Sequence, residues 1–341
     1  MKKLLKFISP LAPDDSGACS VLYELGGITV ICDAGGCAGN VCGFDEPRWS
    51  TKKSALFSAG LRDMDAILGR DDRLVAKLAT AQQQLGRSFT AVVGTPVPAV
   101  IATDYKALER MAEKRIGVPC VTVHTDGTKL YDKGEEEAYL KLFEKFVTEK
   151  QPTRKGTAAL IGATPLNTGL TTADELISAV KAEGFSEVVC IGLDSGLEEI
   201  KDITRFEKIF VIAPSGVRAG KFLKEKFGLD VEAKNCPLPE KITEGLKAFS
   251  PEGKTLVIHQ QYAANTVRDM LGGNAVCGTF FGLDEAAARE GDFHIKDEED
   301  FAEKAKGFDT IIADISLKRA LPDHAGKWID LPHFAVSGRL Y

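Results

Sequence analysis

Short apolar runs rich in β-branched residues alternate with charged stretches along the whole chain of 341 residues. The apolar runs predict strands at 29–32, 90–93, 120–123, 158–161, 188–191, 209–212, 255–259, 275–279 and 310–313. The charged stretches carry apolar residues at helical spacing and predict helices at 104–116, 135–148, 172–182, 220–227 and 264–271. This alternation is typical of parallel sheets covered by helices on both faces. We therefore expect an α/β fold of doubly wound, Rossmann-like domains.

Two polar segments interrupt the alternation. KQPTRKG at 150–156 and SPEG at 250–253 are typical of linkers, because proline, glycine and charged residues disfavour regular structure. They predict an N-terminal α/β domain at 1–152, a middle α/β domain at 153–252 and a C-terminal α/β domain at 253–341. We expect the three domains, with their parallel sheets, to surround a central cleft.

Charge and hydropathy narrow the function classes. The formal net charge is −6, and no cluster of Lys or Arg stands out, which argues against a nucleic-acid partner. The apolar runs are far shorter than the roughly 20 residues that cross a bilayer, so we expect no membrane association. The N-terminus resembles a lipoprotein signal that ends at Cys19, but Lys6 and the prolines that follow it interrupt the apolar stretch. We therefore expect a cytoplasmic protein whose cysteines stay reduced.

Four of the eight cysteines, Cys19, Cys32, Cys37 and Cys42, lie close together around the glycine-rich segment ICDAGGCAGNVCGF. This segment follows the apolar run at 28–31 and so belongs at the carboxyl end of a strand, where open α/β sheets bind ligands. Clustered thiols on such a turn favour a metal–sulfur site, because iron–sulfur clusters need soft thiolate donors. No C-x₂-C pair is present, which disfavours ferredoxin-type and zinc-ribbon sites.

The pattern predicts a different role for each of these four cysteines. Cys37, which has glycines on both sides, is the strongest ligand candidate. Cys19 follows SGA at 16–18, which predicts a second small-residue turn that brings it alongside. Cys32 lies inside the predicted strand and is equally well explained as a buried, small apolar residue. A phosphate-binding loop at GGCAG is the weaker alternative, because the segment lacks G-x-G-x-x-G and a Walker lysine.

Other chemistry-bearing residues have structural interpretations as well as functional ones. The remaining cysteines are interpreted as core or loop residues: Cys120, Cys190 and Cys277 in predicted strands and Cys236 on a loop. His124 and His259 follow predicted strands and are the best pocket candidates among the histidines. The acidic runs at 135–137 and 297–300 are typical of solvated helix starts, where acids favour the helix dipole. Asp14 and Asp15 are either oxygen donors near the cysteines or surface charges.

Several segments occur in an order that points to a known family. They are SGAC at 16–19, DAGGC at 33–37, FSAGL through ILGR at 57–70, GTPVP with TD at 94–104, APSG at 213–216 and LPH at 331–333. In this order they resemble component 1 of nitrogenase and its relatives, which include the nitrogenase-like subunits of protochlorophyllide, chlorophyllide and coenzyme F430-precursor reductases. The resemblance covers nearly the whole chain. The first two segments resemble the family's N-terminal cluster-cysteine segments.

The sequence departs from nitrogenase at the metal ligands. The third cluster cysteine of nitrogenase corresponds to Thr95 here, and the cysteine that holds the iron–molybdenum cofactor falls at Ser215 or Gly216. No histidine matches the cofactor's histidine ligand convincingly. The resemblance therefore implies a protein without an iron–molybdenum cofactor, which does not reduce dinitrogen.

The family-matched pair, Cys19 and Cys37, implies a shared site. Two chains, each giving both thiolates, would supply the four ligands of one [4Fe–4S] cluster. The resemblance thus implies a homodimer, or a heterodimer with a related subunit, in which Cys42 is an extra or replacement ligand. The alternative donors are Cys32, Asp33 or a residue from a different partner chain. An ATP-dependent, Fe-protein-like reductase would supply electrons for the reduction of a small organic molecule.

Two other functions stay open. The chain lacks a Walker A motif, so it is not the ATP-hydrolysing partner itself. It is alternatively a non-catalytic scaffold or carrier for metal-cluster assembly, as some nitrogenase relatives are. A third possibility is a protein that kept the fold, lost the metal and uses its thiols for redox sensing.

Overall fold

The first parallel sheet has the strand order β2-β1-β3-β4. In the computed structural model, which describes residues 5–247, 249–250 and 253–341, its strands are β1 (Ile28–Ile31), β2 (Ala55–Ser58), β3 (Thr90–Val93) and β4 (Cys120–Val123). Every neighbouring pair in this sheet is parallel. The loops that follow these strands therefore leave the sheet at one common edge, its carboxyl edge.

Two further parallel sheets follow along the chain. One has the order β6-β5-β7-β8 and consists of β5 (Arg154–Ile161), β6 (Glu187–Ile191), β7 (Phe206–Val211) and β8 (Val231–Ala233). The other has the order β11-β10-β9-β12-β13 and consists of β9 (Thr255–Ile258), β10 (Val276–Thr279), β11 (Phe293–His294), β12 (Thr310–Ala313) and β13 (Lys327–Asp330). All their strand pairs are parallel as well.

Helices connect the strands and cover both faces of the sheets. They are α1 (Asp14–Leu22), α2 (Gly36–Asn40), α3 (Asp63–Leu68), α4 (Asp71–Leu85), α5 (Pro96–Val100), α6 (Tyr105–Ile116), α7 (Tyr131–Phe146), α8 (Pro165–Thr168), α9 (Asp174–Lys181), α10 (Leu197–Lys201), α11 (Val217–Phe227), α12 (Glu240–Lys247), α13 (Gln261–Met270), α14 (Glu298–Lys304) and α15 (Phe334–Ser337). On the first sheet, α4 and α6 pack on one face, and α1 and α7 pack on the other.

The α/β architecture with three parallel, helix-covered sheets confirms the predicted fold class. All nine predicted strands and all five predicted helices are present, with ends shifted by a few residues. The domain boundaries at 152 and 252 stay predictions, and residue 252 lies outside the described residues, as do residues 1–4 of the N-terminal segment. Within the described part of the chain, no helix combines the length and apolar character that crossing a membrane requires.

Helices α1 and α7 cross at glycines, and this crossing fixes α1 beside the first sheet. A Cβ added at Gly17 in α1 would lie 1.9 Å from the carbonyl oxygen of Tyr131. A Cβ at Gly134 in α7 would lie 1.7 Å from the carbonyl oxygen of Asp14. No side chain fits at either position, so both glycines allow the two backbones to touch. All nine residues of α1 are consequently buried.

Candidate functional site

The cysteine turn, residues 32–45, leaves the first sheet at the carboxyl end of β1. Gly35 has a φ of +123°, a conformation that L side chains rarely adopt, and α2 begins at the next residue. Cys37 lies in α2, and Cys42 lies in the π-helical turn Val41–Asp45 that follows. The prediction that this segment lies at a strand's carboxyl end is therefore correct.

Asp33 holds the turn in place from below. Its buried carboxylate accepts a hydrogen bond from the Ala38 backbone N–H at 2.9 Å and another from the Ser58 hydroxyl at 2.6 Å. The first bond fixes the start of α2, and the second ties it to the end of β2. Both carboxylate oxygens of Asp33 thus accept hydrogen bonds within the chain, which makes Asp33 a weaker candidate for an alternative metal donor.

The small residues before Cys19 predicted a turn, but this prediction is wrong, because Cys19 lies in a helix. It lies in the middle of α1, with 1% of its surface exposed. Cys37 and Cys42, which are partly buried, pack against the same apolar cluster that contains Cys19. Burial, and then the negative charges of Asp15 and Glu46, raise the pKa of the Cys19 thiol far above its usual value. The helix nevertheless brings Cys19 to the same side of the sheet as the other two candidates.

Cys32 belongs to the opposite face of the first sheet. It directly follows β1, and its N–H donates to the carbonyl of Val93 at 2.8 Å. Its side chain packs in the apolar cluster that contains Leu74 and Leu108, on the face covered by α4 and α6. This placement separates Cys32 from the other three cysteines and supports its interpretation as a core residue.

Asp15 carries a buried carboxyl group beside Cys37. Only 2% of Asp15 is exposed, and its Oδ1 atom has no hydrogen-bond partner among the described residues. Burial, together with the charge of Asp14, raises the pKa of Asp15 to about 6. Asp15 and the Thr95 hydroxyl both act on the Cys37 thiol, and burial and Asp15 raise the pKa of this thiol to about 11. A buried carboxyl oxygen usually has a hydrogen-bond or metal partner, so the Asp15 carboxyl group is a candidate ligand or hydrogen-bond partner at this site.

The surroundings of the three thiols are acidic and open on one side. Asp15, Asp33 and Glu46 raise the pKa of one or more of these thiols, so the acidic surroundings disfavour thiolates. Iron cations would relieve this repulsion, and the soft thiols and the free Asp15 oxygen fit a metal–sulfur centre. The four glycines of the turn face open space, with no atom within 4 Å of an added Cβ: Gly35, Gly36, Gly39 and Gly43.

The described part of one chain does not show a complete metal site. Among the described residues, no group of three or more His, Cys, Asp or Glu side chains is placed to bind a metal ion. The ligand set Cys19, Cys37 and Cys42 thus stays a prediction. Any bound centre needs either rearrangement of the turn or donors from another chain.

Comparison with known proteins decides the family. The model of the nitrogenase component 1 type oxidoreductase family matches residues 17–239, about two thirds of the chain. The chain belongs to this family. Members of the nitrogenase component 1 family bind metal–sulfur clusters and work with an iron-protein partner. No curated protein matches the sequence.

Two solved structures of nitrogenase Cp1 share the fold. The structure at pH 5 superposes with a TM-score of 0.73 and 14% identity, over 98% of this chain and 85% of that chain. The structure at pH 6.5 gives a TM-score of 0.69 and 12% identity, over 98% of this chain and 86% of that one. At this identity the likeness shows the architecture alone.

In this component 1 family member, the two positions that depart from nitrogenase have structural partners. The Thr95 hydroxyl donates to the carbonyl of Cys32 at 2.8 Å and is fully buried. The Ser215 hydroxyl, also buried, donates to Glu135 Oε2 at 2.7 Å. Both side chains therefore use their hydroxyl groups in hydrogen bonds within the chain.

The sequence predicted that Glu135 lies at a solvated helix start, and this prediction is wrong. Helix α7 begins earlier, at Tyr131, and Glu135 is completely buried. Its carboxylate accepts hydrogen bonds from Ser215, Thr164 and Asn167. Burial raises the pKa of Glu135 to about 8 despite these bonds. Glu298 in the second acidic run is also buried and accepts hydrogen bonds from the backbone N–H groups of residues 6–8.

The other four cysteines and the two candidate histidines are buried or packed against aromatic rings. Cys120, Cys190 and Cys277 are buried in β4, β6 and β10, as predicted, and Cys236 is buried on its loop. His259 is buried and stacks on His333 at 4.0 Å between ring centroids, and His124 stacks on Tyr105 at 4.5 Å. The sequence analysis missed His333, whose two ring nitrogens are buried and unpartnered among the described residues. The signal for His333 was the segment LPH at 331–333, which the sequence analysis used only for the family resemblance.

Proposed function

We propose that this chain is the electron-accepting, catalytic component of a two-component reductase, with one [4Fe–4S] cluster shared between two chains. Cys19 and Cys37 of each chain hold the cluster, and Cys42 is the extra or replacement ligand. The observation that carries the proposal is the unpartnered Oδ1 of buried Asp15 beside the Cys37 thiol. A carboxyl oxygen in that position could bind iron or form a hydrogen bond within a metal site, which supports the proposal.

The chain's own residues prepare this site before any metal binds. When bound, the cluster would accept and pass on single electrons. The thiols of Cys19 and Cys37 lose their protons as they bind iron. Asp33 holds the turn in register through its bonds to Ala38 and Ser58. The apolar cluster around α1 excludes water from the inner side of the site, and a dry surrounding lowers the dielectric and tunes the reduction potential.

Exposed apolar side chains at the same edge of the first sheet favour a second chain as the cover. The exposed large apolar residues in β2 or on the connections that follow β1, β2 and β3 include Phe44, Phe57, Met64, Ile67, Leu68 and Val100. Phe44 is 75% exposed and Val100 is 85% exposed. Apolar surface of this kind marks interaction sites in soluble proteins. We assign a second copy of this chain as its occupant, because the incomplete site beside it needs further thiolates.

An Fe-protein-like, ATP-dependent reductase is the proposed electron donor, and a small organic molecule is the proposed substrate. Family membership supports the first proposal, because members of the family work with an iron-protein partner. The departures at Thr95 and Ser215 support the second, because they argue against an iron–molybdenum cofactor. The scaffold function keeps the same cluster and lacks turnover. Incubation with reductase and ATP separates the two, since a scaffold transfers its cluster to an acceptor protein and reduces no substrate.

Iron and sulfide analysis after anaerobic reconstitution tests the cluster. Cys37→Ala and Cys19→Ala should each lose most of the bound iron and the thiolate-to-iron absorbance. Cys120→Ala and Cys277→Ala remove buried cysteines far from the turn and should keep the wild-type content. Unchanged iron in both Cys19→Ala and Cys37→Ala would overturn the proposal. Far-ultraviolet circular dichroism checks that each variant is folded.

A charge in the apolar surface tests the shared site. Val100→Asp should shift the chain from dimer to monomer in analytical ultracentrifugation and should lower the iron content of the reconstituted protein. Ile315→Asp, at an exposed apolar position beyond β12, should do neither. A monomeric wild type with a full complement of four irons would contradict cluster sharing.

A further inference from the structure

A large cavity lies next to the start of α1. Its volume is about 910 Å³, which is within the range of pockets that enclose drug-sized molecules. Ile8, Phe281 and Ile295 form buried parts of its wall, and Leu11, Leu130 and Leu283 add further apolar surface. The lysines on its lining are exposed and lie at its rim. The cavity is thus apolar inside and charged at its mouth.

The cavity and the cysteine turn share the first residues of α1. Pro13 lines the cavity, and only Asp14 separates it from Asp15, which reaches the Cys37 thiol. Asp14 accepts hydrogen bonds from the N–H groups of Asp126 and Gly127, and Gly127 is itself part of the cavity wall. One turn of helix, about 5 Å of rise, therefore connects the two features. This neighbourhood relates the cavity to the cluster proposed above.

Asp132 is the one carboxyl group of the lining that is buried, with 5% exposure. Its Oδ2 accepts a hydrogen bond from the Gly282 N–H at 3.0 Å and lies 3.6 Å from the Lys133 ammonium group. Both contacts involve the same carboxylate oxygen. Burial raises the pKa of Asp132 to about 6, opposed by Lys133 and reinforced by Glu136. Near neutral pH this carboxyl group can therefore either donate or accept a hydrogen bond.

We propose that the cavity binds a small, largely apolar organic molecule whose one polar group forms a hydrogen bond with Asp132. The apolar walls select the body of the ligand, and Asp132 selects and orients its polar end. The assignment of this ligand as the substrate to be reduced rests on the proposed function. The existence of the site does not, because it requires no metal, no reductase and no second chain.

Nile red, a neutral apolar dye with a carbonyl acceptor, is a suitable probe in metal-free protein. Its emission shifts to the blue and strengthens in an apolar cavity. Leu283→Trp, which fills part of the cavity, should weaken binding about tenfold or more, a change of about 1.4 kcal/mol in binding free energy. Leu85→Trp, at an exposed position in α4, should bind the dye as the wild type does. Leu11→Trp serves as the second filling variant if Leu283→Trp does not fold.

Substitutions at Asp132 test the polar end of the site. At pH 5, where most Asp132 carboxyl groups are protonated and can donate to the dye's carbonyl oxygen, Asp132→Asn keeps a donor and should retain dye affinity. Asp132→Leu removes the donor and should weaken binding severalfold. Equal affinity in both variants would overturn the role of Asp132. A dye affinity that is unchanged in both filling variants and lost in Val100→Ser would place the dye on the exposed apolar surface. That result would overturn the cavity site. Because the assay uses metal-free protein, its failure leaves the iron analysis untouched, and an iron-free chain with normal dye binding overturns only the proposed function.

Discussion

Gly17 in α1 packs directly against the backbone of Tyr131 in α7: a Cβ at Gly17 would lie 1.9 Å from the Tyr131 carbonyl oxygen. A side chain cannot displace a backbone oxygen of a packed helix by more than a few tenths of an ångström. The contact therefore requires glycine, and it explains why a run of small residues precedes Cys19. The position of Cys19 at the site depends on how closely these two helices approach.

We expect Gly17→Ala to destabilise the protein by about 3 kcal/mol, because the methyl group forces α1 away from α7. The matched control is Gly245→Ala in the exposed helix α12, where an added Cβ meets nothing within 4 Å. That change should leave stability equal or raise it by about 0.5–1 kcal/mol through helix propensity. Urea unfolding followed by circular dichroism measures both. Equal midpoints for the two variants would show that the crossing yields easily.

The strands that were predicted from the sequence and those that were not differ in their position in the sheets. The four strands absent from the sequence prediction, β2, β8, β11 and β13, are all edge strands. An edge strand of a parallel sheet is covered less completely, so its residues need not form an apolar run. The segments VEA and KWID illustrate this, since one of the three residues of the first and two of the four residues of the second are charged. The central strands are buried on both faces and appear in the sequence as continuous apolar runs.

Asp15→Asn should make the Cys37 thiol more reactive in metal-free protein. Asp15 is ionised at pH 8 and its charge, after burial, is the main cause of the raised pKa of Cys37. Removing that charge lowers the pKa of the thiol and increases its thiolate fraction, and the thiolate is the nucleophile. We expect alkylation of Cys37 by iodoacetamide to be about threefold faster or more.

Fragment-ion mass spectrometry locates the label, because Cys19, Cys32, Cys37 and Cys42 share one tryptic peptide. Asp63→Asn removes an exposed acid from another connection of the same sheet and should leave the rate unchanged. A rate at Cys37 that is the same in the wild type and in Asp15→Asn would show that Asp15 does not control this thiol.

The candidate site could be predicted from the sequence only as far as local pattern reaches. The cysteine turn follows a buried strand, and this relation is visible in the residues themselves. Three consecutive glutamates at 135–137 look alike in the sequence, yet Glu135 alone is completely buried. Its burial depends on where α7 begins and on how β5 and β7 end beside it. Such long-range placement, like the unpartnered oxygen of Asp15, is set by packing between distant segments.

Arg48→Ala should destabilise the protein by about 3–5 kcal/mol, because it leaves the buried Glu46 carboxylate without its counter-charge. The Arg48 guanidinium is fully buried and lies 2.6 Å from Glu46 Oε2 and 2.6 Å from the Gly192 carbonyl oxygen. It thereby joins the end of the cysteine turn to the loop after β6. We expect the variant to lose bound iron as well as stability.

The matched control for this change is Arg70→Ala. Arg70 and Asp72 are exposed and lie 4.0 Å apart, so their ion pair should contribute about 0.5 kcal/mol or less. Urea unfolding of both variants at neutral pH gives the comparison. A small loss of stability in Arg48→Ala, equal to that in Arg70→Ala, would contradict the prediction. It would mean that the Glu46 carboxylate becomes hydrated or protonated when its partner is removed.

Glu135→Gln should change how stability depends on pH. The carboxyl group has an ordinary pKa of 4.5 in the unfolded chain and about 8 in the folded protein. The native state therefore holds this proton more tightly, so the associated stability is fully present below pH 4.5 and is lost as the pH rises to 8. In that window, one proton changes the free energy of unfolding by about 1.4 kcal/mol per pH unit. Glutamine has no such proton, so the variant should gain stability relative to the wild type as the pH rises from 5 to 8.

Glu137→Gln, at a partly exposed neighbour on the same helix, should follow the wild-type curve. Urea unfolding at pH 5, 6, 7 and 8 distinguishes the outcomes, and parallel curves for Glu135→Gln and the wild type would show that Glu135 keeps its charge in the folded protein.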